Sequence, residues 1–149
     1  MAYPTSVSPL SHAIGATLLM AFAQGAPAAD LAVTIENIQD GSGQVLVGVF
    51  NSAAAFPKQV YQGQSVPAAQ RAADGTVTLR FAGLPAGTYA VSAIHDRDVN
   101  GKLTTNLLGM PTEPYGFTGR GSGSFGPPAF EDVSFSLPAG GAAVTIATK

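Results

Sequence analysis

The residues with the clearest chemical purpose run His95-Asp96-Arg97-Asp98-Val99-Asn100-Gly101-Lys102-Leu103. Asp96, Asp98 and Asn100 alternate, so their oxygen-bearing side chains can turn inward together. Gly101 then permits the bend that brings the carbonyl of Lys102 round to the same centre. Oxygen ligands at that spacing suit a hard cation, and calcium is the cation expected, with Lys102 taking part through its backbone carbonyl only. A loop of this type closes with a carboxylate at its twelfth position, which here is Leu107. The closing ligand must then come from elsewhere, and Glu113, Glu131 and Asp132 are the candidates, with Glu113 placed in the metal set. The competing reading is a polar turn at a strand end, where Asp and Asn cap their own backbone.

Other chemistries find less support. His95 falls in phase with Tyr89, Val91 and Ala93, which points it toward the core at a strand end. A histidine-rich zinc or copper centre would need more histidines, and His12 is the only other one. Adjacent strand residues face opposite ways, so His95 and Asp96 do not form a base and its orienting acid for Ser92, Ser122, Ser124, Ser134 or Ser136. No spacing favours a carboxylate pair for glycoside hydrolysis. No catalytic residue is therefore assigned, and the chain is expected not to be an enzyme. Tyr115, Phe117 and Phe125, with Phe130 beside them, are candidates for a ligand or partner surface. Alternatively, they fold their loop back over the edge of the domain.

The elements that position these residues are strands. Leu31, Val33 and Ile35 alternate with polar or small neighbours, as do Val45, Val47 and Val49, then Val77, Leu79 and Phe81. Tyr89, Val91 and Ala93 lead into His95, and Val133, Phe135, Leu137 and then Val144, Ile146 complete six sets. Turns fall at Asp40-Gly41-Ser42-Gly43, Asp74-Gly75, Leu84-Pro85-Ala86-Gly87 and Pro138-Ala139-Gly140-Gly141. Strands with one apolar face each hide it by packing two sheets together, so an all-β sandwich of six to seven strands is expected. Residues 53–73 lack clean alternation and suit a short helix near Pro67 to Ala73 or an irregular edge strand. Residues 99–129 carry seven glycines and four prolines and read as one long loop. Its aromatic content favours an ordered loop over a disordered one.

The 149-residue chain is 11% charged, with a net charge of −2, and has no basic stripe for nucleic acid. It has no cysteine, which excludes disulfides, thiolate metal sites and cysteine nucleophiles. An apolar run from Ala13 to Ala23, followed by Ala26-Pro27-Ala28, reads as an export signal over residues 1–28. That run is too short to span a bilayer. The expected product is a single domain over residues 29–149, periplasmic or secreted, with no membrane span after processing.

The run from Phe81 to Val91, with its Leu84-Pro85-Ala86-Gly87-Thr88-Tyr89 turn, resembles the signature of prealbumin-like and carboxypeptidase-regulatory-like sandwiches. The longer run from Leu84 to Leu103, followed by Gly109-Met110-Pro111-Thr112-Glu113-Pro114-Tyr115-Gly116-Phe117, resembles the bacterial exported domain of unknown function 2141 family. That resemblance implies a periplasmic or secreted β-sandwich and brings no established activity. The function expected is a non-enzymatic binding or structural module, calcium-stabilised through the Asp96 loop, with an unknown protein or small ligand as partner. The alternative is a small ligand-carrying or hydrolase-like periplasmic protein that uses residues 95–130.

Overall fold

Alternation along the chain becomes two layers. The computed structural model describes residues 27–119 and 126–149. Within them lie eight strands, β1 (Ala28–Glu36), β2 (Gln44–Phe50), β3 (Gln62–Pro67), β4 (Val77–Pro85), β5 (Gly87–Asp96), β6 (Tyr115–Phe117), β7 (Phe135–Leu137) and β8 (Ala142–Ala147), with one short helix, α1 (Phe130–Val133). One sheet has the order β4-β1-β8 and the other β3-β2-β5-β6, with β7 also paired to β5. The fold is a β-sandwich.

The apolar face of each strand makes the interior. Leu31, Val33 and Ile35 of β1 are fully buried, as are Val45 and Val49 of β2 and Val91 and Ala93 of β5. Phe81, Leu84, Leu137 and Ile146 fill the space between them. Burial of such side chains contributes roughly 1.5–3 kcal/mol each, which makes this layer the main stabilising element. Tyr89 lies in the same layer, and its hydroxyl donates to the Pro85 carbonyl at 2.7 Å, tying the β4–β5 turn to the strand that follows. Burial, with Tyr61 beside it, pushes its phenol pKa up.

Two strands lack the alternation that would reveal them. β3 is a polar edge strand, Gln62-Gly63-Gln64-Ser65-Val66-Pro67, that takes its register from β2 and is followed by a 3-10 turn at Ala68–Gln70. Both alternatives for residues 53–73 are thus realised in succession. β6 lies inside the 99–129 segment and is only three residues long, paired with β5 at Ser92, Ala93 and Ile94. Val133, which the alternation places in a strand, is the last residue of α1, and the strand shortens to Phe135–Leu137. Glu131 and Asp132 in the first turn of α1 favour the helical start by placing negative charge at its positive end.

Candidate functional site

β5 ends at Asp96, and its pleat decides where the chemistry goes. His95 continues the inward row of Tyr89, Val91 and Ala93, whereas Asp96 faces the outer side of the five-stranded sheet opposite Gln44. The chain then turns sharply, and three carboxylates organise the turn. Asp96 accepts from the backbone N–H groups of Asn100 (3.1 Å) and Gly101 (2.9 Å) and from Gln44 Nε2 (2.8 Å). Glu113, reaching back from just before β6, accepts from the N–H groups of Arg97, Asp98 and Thr104. Asp98 accepts from Asn100 N–H, Asn100 Nδ2 and the Thr104 hydroxyl. Burial alone would raise the Asp96 pKa, but the Gln44, Gly101 and Asn100 donors outweigh it and hold the carboxyl below its ordinary value.

One oxygen from each of Asp96, Asp98 and Glu113 lies within 4.8 Å of the others, and Asp96 and Glu113 are buried. The Arg97 guanidinium turns away to Gln39 and Asp40, so three negative charges converge without a basic side chain. Two such charges at that spacing repel by on the order of 3 kcal/mol at an effective dielectric of about 20. Asp96 Oδ1, Asp98 Oδ1 and Glu113 Oε2 each accept only one bond and keep a free lone pair for a cation. Asn100 Oδ1 likewise accepts one bond, from the Lys102 N–H, and its Nδ2 donates to Asp98, so it also braces the turn. Glu131 and Asp132 sit on α1, exposed and outside this group.

The loop that leaves this knot stands over the outer face of the sheet and walls a groove of about 1120 Å3. Outward residues of β2 and β5 form its floor: Leu46, Gly48, Ser92 and Ile94. Leu103, Leu108 and Met110 of the loop, and Pro57, Lys58 and Val60 from the segment between β2 and β3, line its sides. Leu108 and Met110 are 86% and 52% exposed, which leaves an apolar surface turned to solvent beside an apolar floor. Tyr115 and Phe117 also line the groove. Phe117 packs against Phe56 at 5.6 Å, and Phe56 against Phe50 and Phe130 at 5.1 and 5.9 Å. The aromatic residues therefore hold the surrounding segments to the sheet and at the same time present ring surface to the groove. Phe125 lies outside the described residues.

His95 is fully buried, with Nε2 2.9 Å from the Ser42 carbonyl. A carbonyl can only accept, so Nε2 carries the proton, and Nδ1 has no partner. The ring faces the sandwich interior and not the groove. No helix among the described residues is long and apolar enough to cross a membrane. Leu46 and Ile94 are not marked by spacing, because outward residues of a sheet face that bounds a groove look like those of an ordinary solvated one, and Phe56 and Lys58 lie in the loop between β2 and β3, where no periodicity marks them.

Comparison with known proteins places residues 33–146 on the model of a family described as uncharacterized protein conserved in bacteria (DUF2141). No curated protein and no solved structure gives a significant match.

Proposed function

The chain belongs to the DUF2141 family of uncharacterized proteins conserved in bacteria, and from that premise we propose that it is an exported, non-catalytic module that carries a small apolar ligand. The groove over the outer face of the five-stranded sheet is the observation that carries this reading. Its volume of about 1120 Å3 is ample for a small-molecule site, and an apolar lining with few polar groups is what such sites have. A purely structural module would have no use for exposed Leu108 and Met110 above an uncovered apolar floor.

The non-catalytic part rests on position. The buried ring of His95 points away from the groove, and among the described residues no carboxylate lines it. Export, to the periplasm or the medium, is supported by the apolar run before Ala26-Pro27-Ala28. Calcium is the cation proposed for Asp96, Asp98 and Glu113, since it takes carboxylate oxygens in a flexible geometry. Its role would be to clasp the loop that walls the groove.

A neutral dye that brightens in apolar surroundings, such as Nile red, tests the carrier reading. The mature protein should bind it saturably, and Ser92→Trp, which plugs the floor, should abolish binding while the melting temperature stays close to that of the wild type. Equal dye binding by the two proteins would sink the reading. Calcium is tested separately. At 1 mM over a site of about 10 µM affinity it should add roughly 2.7 kcal/mol, seen as a rise of several degrees in melting temperature over chelator. Identical melts leave the three carboxylates as a polar turn only.

A further inference from the structure

The groove carries an uneven charge, and that unevenness identifies the head of its ligand. Resting on the groove as a ligand site, we infer that the ligand is a free single-chain amphiphile with a carboxylate head, seated with the head at Lys58 and the tail along β2 and β5.

Among the described residues the lining holds two lysines, Lys58 and Lys102, and no carboxylate, in a chain whose net charge is −2. Neither lysine takes part in the ion pairs found among the described residues. The two differ in their surroundings. Register pairs Gln44 with Asp96 at one end of the β2–β5 ladder and Phe50 with Ala90 at the other. Lys102 follows Asp96 and Asp98 in the loop at the first end, beside the converging carboxylates that would repel an anion. Lys58 follows Phe56, which packs on Phe50 at the second end, away from that knot. The ends lie roughly 20 Å apart along seven residues of β2.

Between the ends Leu46, Ile94, Leu103, Leu108 and Met110 give an apolar stretch, with Ser65, Ser92 and Thr105 as short polar groups beside it. A peptide would bring a backbone amide at every residue, more than these few side chains can satisfy, and each left unpaired costs about 1–3 kcal/mol. An acyl chain brings no such groups. One anionic head facing one free ammonium, with an unbranched apolar tail in the trough, meets both halves of the lining.

Dansylated undecanoic acid and its methyl ester share tail and fluorophore and differ by one charge. The wild type, with calcium present, should bind the acid up to about fivefold more tightly than the ester, the size of one partly exposed charge pair. Lys58→Gln should remove that difference, and Lys102→Gln should alter the preference far less. If acid and ester bind equally and Ser92→Trp abolishes both, the groove is a ligand site but the carboxylate head is wrong. If neither binds, the groove reading itself falls. Retention on phosphatidylglycerol vesicles without uptake of the monomeric acid would also overturn the inference, in favour of a membrane surface.

Discussion

Val99 holds a left-handed backbone, φ 57°, although its branched side chain is poorly suited to that region. Its side chain is exposed, so it gains little by packing. Val99→Asn should therefore stabilise the protein by about 1 kcal/mol, because Asn tolerates this conformation at lower cost; urea melts in chelator measure it, and a lower midpoint would refute it. Asp96 makes a second residue-scale case. Its folded pKa is lowered, so its contribution is complete above the unfolded value of about 3.9 and is lost as pH falls from there through the folded pKa. In chelator, wild-type stability should drop on acidification below about pH 4, and Asp96→Asn should flatten that drop from a lower starting stability. Equal slopes would assign the acid sensitivity to other groups. Alternation and a following glycine make Asp96 and Asp98 legible in the sequence as one cluster. The bracing role of Asn100 is not legible, because an amide offers oxygen and nitrogen alike, and only the placement of Asp98, Lys102 and Thr104 decides which is used.

The β4–β5 turn is the element most plainly written in the chain. Pro85 and Tyr89 act together there, the tyrosine hydroxyl locking the turn from inside the sandwich through the Pro85 carbonyl. Tyr89→Ala should cost about 3–5 kcal/mol, as truncations of large buried aromatics do, whereas Ser92→Ala should melt with the wild type. Coincident denaturant midpoints for wild type and Tyr89→Ala would deny Tyr89 its place in the core. The junction of the β1–β2 turn with the end of β5 is as demanding. Gly43 has φ 67°, and a side chain there would run into the Asp96 carbonyl and the Arg97 backbone. Gly43→Ala should destabilise and loosen the carboxylate knot together, so any calcium-dependent rise in melting temperature should shrink with it; an unchanged rise would uncouple the two. Sequence legibility at this scale follows burial. Six elements bury one face and alternate, and they are readable. β3 has an exposed polar edge and β6 only three residues, so neither leaves a periodic trace, and α1 takes Val133 from an otherwise regular alternating set.

At the scale of the whole molecule, the two sheets divide their labour. The β4-β1-β8 sheet closes the core. The β3-β2-β5-β6 sheet has its inner face in that core and its outer face in the groove. Amphipathic alternation announces the first use of each strand and conceals the second, since Leu46, Phe50 and Ile94 occupy positions where a single-core reading expects solvent. β8 pairs with β1 in parallel, from Leu31 with Ala142 to Glu36 with Ala147, and Thr148 then bonds back to the Glu36 carbonyl. Deleting residues 142–149 should unfold the domain, seen as loss of the cooperative thermal transition; a truncated chain that still melts cooperatively would show that the remaining sheet closes the core alone. The same pairing governs timing. A chain leaving a ribosome or threading a translocon presents β1 long before β8, and until β8 arrives β1 keeps an open edge with Leu31, Val33 and Ile35 uncovered on that side. Non-local pairing of this kind delays closure. Until its final strand has been delivered, the nascent chain cannot complete the β4-β1-β8 sheet.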